Sequence, residues 1–414
     1  MSSSGHSGCR FCGSTLEHIF VDLGASPLVQ SFLSSDKLNQ MEPFYPLQVF
    51  VCGKCFLVQL REFVAPENIF SDYLYFASYS DTWLAHAKRY TDEMVRRFPI
   101  SEASLVIEIA SNDGYLLQYF AEKNIPVLGV EPAANVAQVA AKKGISSINK
   151  FFSRETAKEL VAAGKRADLL LGNNVLAHVP DVNDFVEGMK ILLKPQGVIT
   201  MEFPHLMQLM EQNQFDTIYH EHFSYFSFLT VQKIFAAHGL TLFDVEELPT
   251  HGGSLRIYAR HAEDSTKPVG QAVTDLSARE EAGGYARLET YSRFAEQVKE
   301  TKRKLLEFLI NAKRNGKKIA AYGAAAKGNT LLNYCAIRTD FLDYTVDRSP
   351  YKQGMFLPGT RIPVYSPDQI KRTQPDYLLI LPWNLKDEII QQNAYIRDWG
   401  GQFVVPIPEV TVYS

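Results

Sequence analysis

Residues 105–132 read LVIEIASNDGYLLQYFAEKNIPVLGVEP, and few architectures can absorb that order of side chains. An apolar run (Leu105, Val106, Ile107, Ile109) gives way to a small polar turn at Ala110, Ser111, Asn112, Asp113 and Gly114. An amphipathic segment with Tyr115, Leu116, Leu117, Tyr119 and Phe120 follows, and a second apolar run (Val127, Leu128, Gly129, Val130) stops at Glu131. The pattern predicts strand, tight loop, helix and strand, the repeating unit of a parallel α/β sheet. In such a sheet a ligand lies over the C-terminal edge, where a carboxylate at the tip of the second strand can accept hydrogen bonds from both hydroxyls of a ribose. Two ribose-bearing cofactors meet that description, a nicotinamide dinucleotide and S-adenosylmethionine.

The loop favours the second. A dinucleotide needs several glycines so that backbone amides can approach a pyrophosphate. This loop keeps only Gly114 and adds the negative charges of Glu108 and Asp113. S-adenosylmethionine has no phosphate; its ammonium and sulfonium are cations that carboxylates attract. The alternation continues downstream, with strands expected at 145–148, 167–171 and 197–202 and helical segments between them. The strand at 167–171 runs into Gly172, Asn173 and Asn174, a polar tip that can hold the cofactor's amino-acid end from the same edge as Asn112 and Glu131. Upstream, Asp81 is expected to cap a helix reaching Phe98, with Trp83, Leu84, Ala87, Tyr90, Met94 and Val95 on one face. The preceding stretch, DYLYFASYS from Asp72 to Ser80, reads either as an aromatic hinge or as a lid over the cofactor.

Four of the five cysteines form two knuckles, Cys9-x-x-Cys12 and Cys52-x-x-Cys55, with about 39 residues between them. Four thiolates suit a closed tetrahedral zinc that staples a small N-terminal module. With no secretory signal, zinc is the expected reading over a pair of disulfides. Cys335, alone in NTLLNYCAIR, is expected to pack inside a helix. At 414 residues the chain should hold two or three domains. Its formal net charge of -4 disfavours a general nucleic-acid or membrane-surface role, and no apolar run approaches the length of a membrane span, so cytoplasm is the expected compartment.

The densest chemistry lies at DTIYHEHFSYF, residues 216–226, where His220 and His222 flank Glu221 and Tyr219 and Tyr225 stand close by. The spacing is not that of a zinc HExxH helix, and so many titratable groups are hard to satisfy in a plain core; acid–base chemistry is the better use. In PTHGGSLR, at 249–256, the glycine pair lets backbone approach a ligand closely. A charged helical connector is expected from about 266 to 316, broken at Gly283 and Gly284. Beyond it, KIAAYG at 318–323 and strands at 344–346 and 377–381 outline a second α/β unit, with Asp347 ending one strand. The turn AAAKGNT opens a helix, an arrangement suited to an anion, and Lys327 adds charge for a diphosphate. A nicotinamide site there is disfavoured because the all-alanine turn lacks the glycine fingerprint.

These motifs occur in one order: the two Cys-x-x-Cys knuckles, LVQL, EIASNDG, IYHEHFSYF, THGGSLR and YGAAAKGNTLLN. Together they resemble the S-adenosylmethionine-dependent sugar-nucleotide C-methyltransferase family that builds branched deoxysugars, over nearly the whole chain. The resemblance implies an α/β protein of three parts. These are a zinc-binding module at 1–72, a Rossmann-like class I methyltransferase domain at 73–262, and a second Rossmann-like domain at 263–414 that helps hold a nucleotide-diphosphate 4-keto sugar. LKPQG at 193–197 matches the turn before the fifth strand of Rossmann-type methyltransferases. The resemblance places the matching tyrosine, glutamate and histidine residues at the active site, so the catalytic group is expected to comprise His222, Tyr219, Glu221 and His178. Neutral imidazole titrates near the working range, which makes His222 the expected base, with Tyr219 positioning substrate, donating to an enolate oxygen or itself the base. The cofactor is expected against Tyr73, Glu108, Asn112, Gly114, Glu131 and Asn174. The sugar nucleotide is expected against His251, Ser254, Lys327, Asn329 and Asp347, and zinc on Cys9, Cys12, Cys52 and Cys55. Two rival readings stay open, O- or N-methylation of a nucleotide sugar and a non-catalytic zinc-containing scaffold that binds one.

Overall fold

The computed structural model describes residues 8–61, 64 and 77–414. Two compact units emerge: Met1–Glu17, Val51–Leu206 and Glu221–Leu288 form one, and His18–Phe50, Met207–His220 and Glu289–Ser414 the other. The division passes between His220 and Glu221, inside the histidine-rich block.

The first unit is built on seven strands: β1 Val106–Ile109, β2 Val127–Val130, β3 Ser147–Ile148, β4 Ala167–Asn173, β5 Leu193–Pro204, β6 Leu240–Leu248 and β7 Ser254–His261. They lie in the order β3-β2-β1-β4-β5-β7-β6. β1 pairs in parallel with β2 on one side and β4 on the other, Glu108 lying opposite both Gly129 and Leu171. β7 is antiparallel to β5 and β6. Buried on both faces, the parallel strands read as the continuous apolar runs seen in the sequence. β1 and β4 are neighbours whose chains leave in opposite directions, which opens a crevice at their carboxyl ends.

Helix Asp81–Arg97 buries His86, Ala87, Tyr90, Thr91 and Met94. In the core its face meets Leu116, Leu117, Phe120, Leu169, Val198 and Tyr258, and each such large side chain contributes about 1.5–3 kcal/mol by leaving water. Its cap is Ser80 rather than Asp81: the Ser80 hydroxyl accepts the Trp83 N–H, and Asp81 takes the first turn, where its charge suits the helix dipole. β3 begins two residues later than expected, and β5 begins at Leu193, so LKPQG belongs to the strand itself; a register irregularity between Ala167 and Leu169 absorbs its extra residues.

In the second unit, β8 Ile319–Tyr322, β9 Thr345–Val346, β10 Val364–Tyr365, β11 Tyr377–Ile380, β12 Gln402–Val405 and β13 Thr411–Tyr413 form a sheet ordered β10-β9-β8-β11-β12-β13. All neighbours are parallel except β12 and β13, and helix Ala326–Cys335 follows β8. The charged connector is helical at Gln271–Ala282, Leu288–Ser292 and Phe294–Arg314, and the first of these stops at Gly283, with Gly284 at a φ of 85°. Among the described residues no helix is long and apolar enough to cross a membrane. Cys335 is buried, and burial pushes its thiol up to about 12, which suits packing and not nucleophilic chemistry.

Candidate functional site

The carboxyl edge of the first sheet gathers most of the residues singled out in the sequence. Four non-glycine residues here take left-handed φ: Ala110 (55°), Asn112 (49°), Asn174 (54°) and His251 (55°). Such strain concentrates where a binding edge dictates the backbone. Gly114 follows at 74°, and a Cβ there would stand 3.1 Å from Ile145. Glu131 sits at the tip of β2, its two oxygens accepting the backbone N–H groups of Asn112 (2.9 Å) and Ala133 (2.8 Å). A carboxylate can accept about four hydrogen bonds, so the amides orient Glu131 and leave it capacity for ribose hydroxyls.

Burial raises the pKa of Glu131 against the pull of those two amides. Glu108, fully buried in β1, is raised well above the carboxylate range by burial; a Tyr115 hydrogen bond opposes this, and the nearby Glu131 and Asp113 add to it. Three buried carboxyls around one strand edge are costly unless cations join them. Asp113 keeps one oxygen, Oδ1, without a hydrogen-bond partner, while Oδ2 takes Ser78 Oγ and lies 3.3 Å from Lys143. The donor set therefore fits S-adenosylmethionine: acidic groups for its ammonium and sulfonium, and an oriented carboxylate for its ribose. A cation entering here lowers the raised pKa of Glu108, so binding is expected to be accompanied by proton release and to tighten as pH rises. Calorimetry in buffers of different ionisation enthalpy measures that release.

The Tyr- and Ser-rich stretch ends on this loop. Ala77 donates its N–H to Asn112 Oδ1 (2.9 Å), and Lys143 Nζ donates to Ser78 Oγ (2.9 Å). Tyr73 lies outside the described residues. Across the edge, Asn174 Nδ2 and His251 Nε2 are 2.9 Å apart, and the His251 ring meets the edge of Trp83. Ser254 is buried, its hydroxyl donating to the Thr250 carbonyl.

His178, just past β4, and His222 stand with ring centroids 4.7 Å apart, His222 buried and His178 partly so, and Phe223 N–H donates to the Ala177 carbonyl at 2.7 Å. Burial drives His178 down to about 4 against a hydrogen bond to the Glu221 backbone, which keeps its imidazole neutral. Burial alone raises Glu221 to about 7. Tyr219 is half-buried in the other unit, where the next residue, His220, hydrogen-bonds the Pro46 carbonyl at 3.2 Å and abuts the Tyr45 ring.

A network absent from the sequence reading backs the first-unit edge. Glu202, near the end of β5, binds His86 Nε2 (2.9 Å), Arg256 Nη2 (3.2 Å) and Thr250 Oγ1 (3.0 Å). Burial opposes its charge, but these partners outweigh it and hold the pKa low. The available signal was a lone glutamate in the apolar run VITMEF, since a buried charge requires partners.

The four cysteine sulfurs lie within 4.8 Å of one another, Cys9–Cys55 and Cys12–Cys52 at 3.5 Å, and none is disulfide-bonded. A tetrahedral zinc with Zn–S bonds of about 2.3 Å needs sulfurs about 3.8 Å apart, so these residues fit a closed structural site. The strand Val58–Leu60 leads from it to Ser224–Tyr225, paired antiparallel, and Leu60 N–H donates to the Phe223 carbonyl.

In the second unit Asp347, at the end of β9, accepts the N–H groups of Ala324 and Ser349, both at 2.8 Å. That grip repeats the one Glu131 has on its own loop. Asn329 is buried and donates to the Val29 carbonyl (2.8 Å), and Lys327 Nζ donates to Asn384 Oδ1 (2.6 Å) 4.4 Å from the centre of the Trp383 ring.

Comparison with known proteins covers all three parts of the chain. A family model described as "C-methyltransferase C-terminal domain" matches residues 249–408, "Methyltransferase domain" matches 83–245, and "Putative zinc binding domain" matches 9–70. The C-methyltransferase NovU of Streptomyces niveus is 37% identical over 406 residues, which is 98% of this chain and 96% of its own. A ubiquinone biosynthesis O-methyltransferase of Bartonella tribocorum is 32% identical over 97 residues, 23% of this chain and 38% of its own. Among solved structures, magnesium protoporphyrin IX methyltransferase of Synechocystis PCC 6803 is 14% identical, covering 42% of this chain and 82% of its own at a TM-score of 0.35.

Proposed function

This chain belongs to the C-methyltransferase family, and from that premise we propose that it methylates C3 of a nucleotide-linked 4-keto-6-deoxy sugar through an enolate. It is an S-adenosylmethionine-dependent enzyme with a structural four-cysteine zinc site. When bound, the cofactor supplies an electrophilic methyl that a carbanion-like carbon can take. The protein must therefore generate that carbon nucleophile, and a proton next to a ketone is too weakly acidic to leave without a base near neutral pH.

The observation that carries this reading is the imidazole pair tethered to the end of β4, with His222 buried against His178. His178 is held neutral and, with its pKa near 4, is a poor proton acceptor. That leaves His222 as the base, with His178 fixing the Glu221 carbonyl beside it. Tyr219, three residues away and at most about 11 Å along the chain, donates to the developing oxyanion. Glu221, able to exist protonated or ionised near neutrality, binds a sugar hydroxyl or orients the imidazole. His251 and Ser254 are proposed to line the sugar, and Asp347 to hold the nucleotide ribose as Glu131 holds that of the cofactor.

O- or N-methylation needs no base for a C–H bond, so the position of the transferred methyl separates the readings. With an isotopically labelled methyl donor and the 4-keto sugar nucleotide, the label should end on a ring carbon by NMR. Label on oxygen or nitrogen would refute the proposal, and absence of cofactor binding would favour the scaffold reading.

A further inference from the structure

The C-terminal sheet has the strand order of a nucleotide-binding fold, with a crevice expected where β8 and β11 diverge at their carboxyl ends. Residues of the chain itself fill that place. Gly323, directly after β8, has a φ of 98°, and a Cβ on it would fall 2.5 Å from Pro382, which follows β11. Trp383 comes next and donates its indole N–H to Asp216 Oδ2 at 2.9 Å. Lys327, in the first turn of helix Ala326–Cys335, draws the Asp216 carboxylate by charge, and Thr330, one turn on, donates its hydroxyl to the Ile218 carbonyl at 3.0 Å. A carboxylate thus stands where a helix start beside a lysine ordinarily receives a phosphate.

We propose that the ligand edge of the C-terminal sheet clamps the segment from Asp216 to Ile218, making Asp216, Lys327, Thr330 and Trp383 positioning residues for Tyr219. The inference rests on the role given to Tyr219 above, and it replaces the reading of Lys327 as a diphosphate ligand. Asp216 is fully buried, and its Oδ1 has no hydrogen-bond partner. A buried acid with one oxygen left unpaired is an expensive way to pack a loop, which favours a positional purpose over a merely structural one. Burial raises Asp216 to about 7 and lowers Lys327 to about 8, each opposed by the other's charge.

The test is a double-mutant cycle on the full-length zinc-loaded enzyme. Thr330→Val, which is nearly isosteric, and Trp383→Phe, which removes only the N–H side of the ring system, should each lower kcat about tenfold or more. KM for the sugar nucleotide should stay near wild type. Trp383→Phe, which strips the indole donor from buried Asp216, should also lower the unfolding temperature, and the Tyr219→Phe background separates that loss from the positional one. In a Tyr219→Phe background the same substitutions should cost less than about twofold, because the group they position is gone. Equal losses in both backgrounds would overturn the clamp. So would a Lys327→Met variant that raises KM for the sugar nucleotide at unchanged kcat, the signature of a diphosphate contact. If Tyr219→Phe alone leaves kcat intact, the role of Tyr219 falls, and that failure is visible before any clamp variant is made.

Discussion

Replacing His222 by asparagine is expected to lower kcat by about 10²- to 10⁴-fold, the usual range for losing a general base, with affinity for S-adenosylmethionine unchanged. Asparagine keeps a hydrogen-bonding group of similar reach but cannot take a proton. The remaining imidazole, His178, does not substitute, because burial holds its pKa near 4. The separation of effects follows from the fold. The loop proposed for the cofactor runs from β1 to Gly114, whereas His222 is fastened beyond β4 through the Phe223–Ala177 hydrogen bond. Steady-state kinetics alongside calorimetric titration with S-adenosylhomocysteine checks both halves. A fall in cofactor affinity matching the fall in kcat would assign His222 to the cofactor site instead.

Stripping zinc with a chelator, or replacing Cys55 by serine, is expected to remove one metal per chain and lower both thermal stability and kcat, the latter at least about tenfold. Binding of structural zinc contributes about 10–16 kcal/mol in small zinc domains. Here its loss reaches the chemistry by a short route. The Cys55 carbonyl accepts the Thr230 hydroxyl at 3.3 Å, and the strand after Cys55 pairs with Ser224 and Tyr225, adjoining His222. Metal analysis before and after chelation, with activity assayed at each step and after adding zinc back, tests this. A metal-free protein with full activity would detach the cysteine cluster from the catalytic block.

How far the sequence could be read depended on the range of each interaction. The unit at 105–132 was legible because strands buried on both faces must be continuously apolar and because Glu131 ends such a run. The two Cys-x-x-Cys knuckles were legible for a related reason, since each pair of ligands is local even though the pairs are not. The cap at Ser80 was missed by one residue because both serine and aspartate cap well and only the backbone decides between them. The Glu202 network escaped because its partner His86 is 116 residues distant, and no local pattern encodes such a meeting. Lys327 illustrates the same limit. Its place in a turn opening a helix was readable, but Asn384 lies 57 residues on, and the indole beside it answers to Asp216 across 167 residues.

The central claim, that this enzyme makes a carbon nucleophile by removing a proton next to a ketone, is tested most directly without any methyl transfer. The wild-type protein is incubated in deuterated buffer with a nucleotide-linked 4-keto-6-deoxy sugar and S-adenosylhomocysteine, and the sugar is followed by proton NMR. The expected result is enzyme-dependent loss of the C3 proton signal with every other sugar resonance retained. A C3 signal that persists undiminished, under conditions where the same preparation methylates that sugar once the donor is supplied, would contradict it.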